Sequence, residues 1–367
     1  MDAQDHGLKE MERLCRGLLQ GRTLLGSSVV YLRESVLEEA VRTLTEVPLQ
    51  RLVTFGVKDT HQISKELVSR LQRIPGFLFQ TLDKMSPGGR AIDVDLINPL
   101  TGKVMTGSTS GGCVNILKGV NDLALGTDGG GSVLAPAIAT GLYGVMAKGM
   151  GLMGNTLKTS TDQLTFLPGI GVISHDYDLC RRSIQGMMDH EAPQGLSRSL
   201  VVAIPEEGAV TLPHGRDMAS YLQPRLSWDQ KEITFQRVKL WEQDDRESLI
   251  QRARELFDHG IDILLTAEGP IDLLGTGDSV LGQWGETGAA MQQQGGKYFL
   301  KVANLINATA VTIPTGDLGV GLVLMAPQGI QQGWEVIELG AMLLKQSPVP
   351  PLFQRYFIQG STSIGWI

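Results

Sequence analysis

Six short runs rich in branched aliphatic residues recur along this chain, at residues 51–57, 122–126, 200–204, 261–266, 309–313 and 320–325. Each has the length of a buried strand, and stretches with helical periodicity lie between several of them. Ahead of and beside the first run, at residues 7–20 and 34–46, apolar side chains fall three and four apart between charges, which predicts N-terminal amphipathic helices within residues 1–46. The alternation predicts an α/β fold, a large mixed, partly parallel β-sheet covered by helices on both faces. At 367 residues and 42% hydrophobic content the chain can bury a large core as one domain over 1–367. Residues 205–250 concentrate charge and predict a peripheral excursion, while the glycine- and glutamine-rich stretch 275–299 is long for a connection and predicts a substrate-facing lid.

Composition narrows the partners. The net charge of −7, without a basic patch interleaved with aromatics, argues against nucleic acid. No apolar run is long enough to span a membrane, and residues 1–21 lack the basic-then-apolar order of a signal peptide, so the expectation is a cytoplasmic protein with no membrane partner. A homo-oligomer is compatible with such a chain. Cys15, Cys113 and Cys180 are scattered without a C-x-x-C and are expected to be reduced packing residues. The six histidines show neither H-x-x-x-H nor H-E-x-x-H spacing, so neither a metal nor another cofactor is expected.

The chemistry concentrates between Thr106 and Pro136, where TGSTSGG and LGTDGGGSVLAP place Ser108 and Ser132 in two glycine-rich turns, 24 positions apart. Gly129, Gly130 and Gly131 can point consecutive amides at one spot, as an oxyanion hole requires. A phosphate cradle would use similar glycines, and the turns by themselves fit both. Neither a G-x-x-x-x-G-K-S/T nor a strand-linked G-x-G-x-x-G is present. Lys58 tips the balance: VTFGVKD, Val53 to Asp59, is an apolar strand ending on a lysine, and partial burial would lower that amine's pKa toward the range of a base. A Ser-His-Asp arrangement is less well supported, because neither serine lies in a G-x-S-x-G elbow.

These residues resemble the amidase signature family, whose members use a Ser, cis-Ser, Lys triad. Residues 106–111 stand where the family has a glycine-serine segment, and 126–136 resemble its G-T-D-T-G-G-S stretch. GVKD at 56–59, SHDYDLC at 174–180, IDILLTAEGP at 261–270 and NLINATAVTIPTG with GVGLVLMAP between 304 and 327 match further family segments in order. The resemblance spans about residues 50–345. It implies Ser132 as nucleophile, Ser108 as proton relay and Lys58 as base, with a cis peptide before the relay serine. The register without a gap puts Ser108 on the relay; a shift of one place would put Thr109 there. Thr109, Ser110, Asp128 and His61 are then expected as supporting or substrate-lining residues.

Three departures stand out. Thr106 replaces a usual glycine, Gly129 replaces the second threonine of the nucleophile stretch, and Leu134 replaces the arginine that partners the aspartate of the same loop, which leaves backbone hydrogen bonds to hold Asp128. Between Lys58 and Ser108 the family's usual segment is unrecognisable, which predicts a trimmed or rebuilt wall. The resemblance implies an amidohydrolase that cleaves the C–N bond of a small carboxamide through an acyl-enzyme. Its alternatives are a subunit that delivers ammonia to a partner active site, and an inactive amidase-like binding protein.

Overall fold

Helix α1 (Ala3–Thr23), strand β1 (Val29–Leu32) and helix α2 (Val36–Glu46) lead into β2 (Val53–Lys58), α3 (Lys65–Gln72) and β3 (Phe77–Asp83). A hairpin of β4 (Ile92–Ile97) and β5 (Val104–Thr106) precedes α4 (Ser110–Leu117), β6 (Leu123–Asp128), α5 (Leu134–Ala139) and β7 (Tyr143–Met146). The short pair β8 (Lys158–Thr159) and β9 (Thr165–Phe166) is followed by β10 (Gly169–Ser174), α6 (Tyr177–Met188), β11 (Leu200–Pro205), α7 (Met218–Leu226) and β12 (Ile233–Val238). Then come α8 (Arg246–Asp258), β13 (Ile263–Glu268), α9 (Gly285–Gln293), β14 (Thr309–Pro314), β15 (Gly321–Ala326) and α10 (Ile330–Leu343). This computed structural model describes residues 3–159, 163–188, 190–193, 195–227, 231–241 and 245–359. No helix among them is long and apolar enough to cross a membrane.

Eleven strands form one sheet in the order β1-β3-β2-β6-β10-β7-β14-β15-β13-β11-β12. It is mixed: β2 runs parallel to β3 and β6, β11 runs parallel to β12 and β13, and the strands between these groups pair antiparallel. Every residue of β2, β6, β7, β10, β13, β14 and β15 is buried, so these strands are mostly apolar on both faces instead of alternating in and out, with Lys58, Asp128 and Glu268 as buried charged residues at strand ends. Side-chain caps start several helices; Ser64 accepts from the amide of Leu67 at α3, and Asp245 from that of Ser248 at α8.

The charged stretch 205–250 contributes α7 and the strand β12, which closes one edge of the main sheet. Its charge reflects that position, since β12 buries only its first and last residues. Strands β7 and β10 escape a composition-based reading because glycine breaks them. At Gly171 a Cβ would lie 2.6 Å from the carbonyl oxygen of Val145, so close strand packing demands the glycine. Parallel strands β2 and β6 both end at the same sheet margin, on Lys58 and Asp128 respectively. Loops following parallel strands commonly build a site at that margin.

Candidate active site

Lys58 is the last residue of β2 and is only 2% exposed. Its Nζ donates to Ser108 Oγ at 2.7 Å, to Thr127 Oγ1 at 2.9 Å and to the Thr127 carbonyl at 3.1 Å, which occupies all three donors of an ammonium. Burial lowers the pKa of the amine from 10.5 to about 7; the charge of Lys158 pushes it down further, and Asp128 acts in the opposite direction. Near neutrality the neutral amine is thus available to accept a proton from the hydroxyl beside it. Strand β2 can approach β3 here because residue 56 is glycine: a Cβ would lie 2.1 Å from the carboxylate of Asp83. Asp83 itself is buried, and desolvation raises its pKa to about 7.

The first glycine turn is made by Gly107 at φ +69°, with the ring of Pro136 2.4 Å from where a Cβ would stand. The only cis peptide among the described residues is Gly269–Pro270, so the expected cis bond before Ser108 is absent and the left-handed glycine makes the turn instead. Ser108, and not Thr109, meets Lys58. The Thr109 hydroxyl is buried without a hydrogen-bond partner against Gly126, while its amide donates to the Ser132 carbonyl at 3.2 Å and ties the two turns together. Ser110 Oγ donates to Asp93 at 2.6 Å, and Asp93 pairs with Lys84 at 2.8 Å. Ser110 therefore anchors α4 to the β4–β5 hairpin.

In the second turn Asp128 replaces the missing arginine contact with backbone. Its Oδ1 accepts from the Gly131 amide at 2.7 Å, and its Oδ2 accepts from the amides of Val133 at 2.6 Å and Leu134 at 3.2 Å. Leu134 is free to pack in an apolar cluster. The same bonds correct the expected oxyanion hole, because the Gly131 amide is already used by Asp128. The amides of Gly129, Gly130 and Ser132 have no acceptor among the described residues. Behind the turn Asn304 donates to the Gly129 carbonyl at 3.2 Å and accepts from the Gly169 amide at 2.7 Å. Lys148, buried and with its pKa lowered by desolvation to about 8, donates to the Asn304 carbonyl at 2.9 Å, and Asp128 draws on its charge. Thr127, Asn304 and Lys148 were not singled out by sequence, although Thr127 and Asn304 lie inside segments that match the family.

Ser108, Thr127, Gly129, Gly130 and Ser132 line one cavity of about 380 Å³. The Ser132 hydroxyl makes no hydrogen bond to a described residue, and the only bond between the two turns here is through its carbonyl. The segment between Lys58 and Ser108 supplies one wall through the Gly88–Ala91 turn, and residues 278–280 of the expected lid supply another. That lid is partly helical, holding α9. Arg90 pairs with buried Asp278 at 2.7 Å and joins the two walls. At the lid's base Lys297 contacts Asp272 at 2.6 Å and Thr106 Oγ1 at 3.0 Å, and Asp272 accepts from the Gly277 amide at 2.6 Å. Thr106 thus gives a polar tether where a glycine is usual. His61 does not reach the cavity: it is exposed, and its carbonyl accepts from Asn155 at 3.3 Å. All three cysteines are free, Cys15 exposed and Cys113 and Cys180 buried.

No family model matches this sequence, and no curated protein matches it either. Solved structures do. An amidase is 16% identical with a TM-score of 0.60, covering 95% of this chain and 100% of that one. A 6-aminohexanoate cyclic dimer hydrolase solved with its substrate is 14% identical, with a TM-score of 0.61 and 96% of each chain covered. The allophanate hydrolase of Kluyveromyces lactis is 14% identical, with a TM-score of 0.62 over 99% of this chain and 73% of that one. The likeness in architecture gives this chain, whose mixed sheet has eleven strands, the amidase signature fold.

Proposed function

We propose that the chain is an amidase that hydrolyses the C–N bond of a small carboxamide through an acyl-enzyme on Ser132. The observation that carries this reading is the buried Lys58, its pKa near 7, at 2.7 Å from Ser108 in the cavity that Ser132 also lines. Neutral Lys58 takes the Ser108 proton as Ser108 takes that of Ser132, and Ser132 Oγ attacks the carbonyl carbon. Rotation of the unbonded Ser132 hydroxyl completes the relay. A hydroxyl suits the middle position because it both donates and accepts. The uncommitted amides of Gly129, Gly130 and Ser132 stabilise the oxyanion. The proton returns through Ser108 to the leaving nitrogen, and water repeats the sequence on the ester. Solved proteins of the same fold bear amide-hydrolase names, which agrees with this chemistry.

Treatment with a phosphonofluoridate followed by intact-mass measurement tests the assignment. One adduct is expected on the wild type, none on Ser132→Ala, and slow labelling on Lys58→Ala. An adduct that persists undiminished on Ser132→Ala overturns the nucleophile. A wild type that neither labels nor releases ammonia from a carboxamide panel supports a binding protein in its place.

A further inference from the structure

The cavity has an uneven charge. Its lining includes three cationic side chains, Arg90, Lys158 and Arg246, and one acidic one, Asp278. Asp278 is already bound by Arg90 in an ion pair of 2.7 Å. The carboxylates of Asp245, Glu247 and Glu286 line an adjoining, larger chamber and not this cavity. Lys158 makes no salt bridge or hydrogen bond within the described residues. Its Nζ lies 3.9 Å from where a Cβ would stand at Gly89, so the amine reaches across to the Gly88–Gly89 turn, where no side chain fills the space. A half-buried ammonium that faces a cavity with no counter-ion leaves a desolvation cost that an anionic ligand would relieve.

We propose that the substrate is an amide carrying a carboxylate at its far end, held by Lys158 while the amide carbonyl meets Ser132. This rests on the amidase reading and names its substrate class, the monoamides of small dicarboxylic acids. Hydrolysis adds water across the C–N bond and yields the dicarboxylate and ammonia. One unpaired point charge matches a monoanion, and the volume of about 380 Å³ suits a short acyl chain. The influence of Lys158 on the basicity of Lys58 places its charge within electrostatic reach of the reacting groups.

The test compares ammonia release from succinamate and from butyramide, with succinamate binding measured by calorimetry on the Ser132→Ala protein. Wild type is expected to favour succinamate, and Lys158→Met to lose about tenfold of that kcat/KM ratio, mainly in KM. Lys158→Glu is expected to lose more and Lys158→Arg to keep the preference. Calorimetry of Ser132→Ala/Lys158→Met should show succinamate weakened by a similar factor. Equal ratios in wild type and Lys158→Met, or succinamate binding that is absent or indifferent to Lys158, overturn the proposal. Hydrolysis of both amides without that dependence leaves the amidase reading standing and removes the anion site. Lys158-dependent binding with no hydrolysis by wild type does the reverse.

Discussion

The floor of the cavity and its rim are built by different physics. On the floor, Lys58 and Thr127 at the ends of adjacent strands and Ser108 in the turn after β5 are nearly inaccessible and joined by hydrogen bonds of 2.7 to 3.1 Å. On the rim, Lys158 is half-buried without an ion pair among the described residues, and exposed Arg90 is joined to Asp278 of the 275–299 stretch by an ion pair between loops. Buried hydrogen-bonded groups have one arrangement and resist change; exposed pairs contribute little and tolerate it. On the proposed reading, the chemistry and the choice of substrate are therefore separable, with reactivity assigned to the floor and selectivity to the rim.

The hardest break of that division lies at the floor. Ser132→Ala and Lys58→Met are each expected to lower amide hydrolysis by about 10³-fold or more, measured as ammonia release. Stability should move the other way in Lys58→Met. The folded pKa of about 7 lies below the 10.5 of an ordinary lysine, so the unfolded chain binds more protons between those values. Wild-type stability then gains from Lys58 as pH rises across that window and loses that gain as pH falls through about 7. Lys58→Met should remove this slope and raise the melting temperature at pH 7. A lower melting temperature would mean that the three hydrogen bonds of the amine outweigh its desolvation.

A second floor change is smaller in activity and opposite in stability. Asp128 accepts three backbone amides, and asparagine offers one oxygen and places an NH₂ group against a donor. Asp128→Asn should cost about 1–3 kcal/mol in denaturant unfolding. Because the turn that carries Ser132 loosens, hydrolysis should fall by about 10²-fold. Unchanged unfolding would show that these amide bonds do not hold the turn.

How far this division was legible in the sequence follows from the same contrast. Lys58, Ser108 and Ser132 announce themselves because a lysine closing an apolar strand and serines closing glycine turns are unusual locally. Thr127 and Asn304 do not, since a threonine in a strand and an asparagine in a loop acquire meaning only from partners across the fold, Lys58 in one case and Gly129 in the other. Gly131 was misassigned for a related reason: glycine count predicts amides at one place, but which amide stays uncommitted depends on where Asp128 points. His61 sits near Lys58 in sequence, yet the chain leaves the sheet after Lys58 and carries the imidazole to the surface. Rim ion pairs such as Arg90–Asp278 span 188 positions, beyond any local pattern.

At the rim, Asp278→Asn separates selectivity from chemistry. Asparagine avoids leaving a buried charge unpaired, so the loss is that of a pair whose arginine side chain is 47% exposed, about 1 kcal/mol or less. Loosening the joint between the Gly88–Ala91 turn and the lid should raise KM a few-fold and leave kcat unchanged. A drop in kcat with KM unchanged would instead tie the lid to the floor.

The smallest effect joins the two regions. With Lys58 as base, kcat/KM should rise with pH and level off above an apparent pKa of about 7. Lys158 holds that value down through its positive charge. In Lys158→Met the repulsion disappears, the ammonium of Lys58 becomes easier to keep, and the profile should move to higher pH by less than one unit. Lys158→Arg should keep the wild-type profile, since the charge remains. Measured on butyramide, which has no carboxylate, the shift reports electrostatics alone, and salt should weaken it because the path from rim to floor is partly solvated. A shift in the opposite direction would mean that Lys158 supports the charged form of Lys58, and the rim could then no longer be treated as separate from the chemistry beneath it.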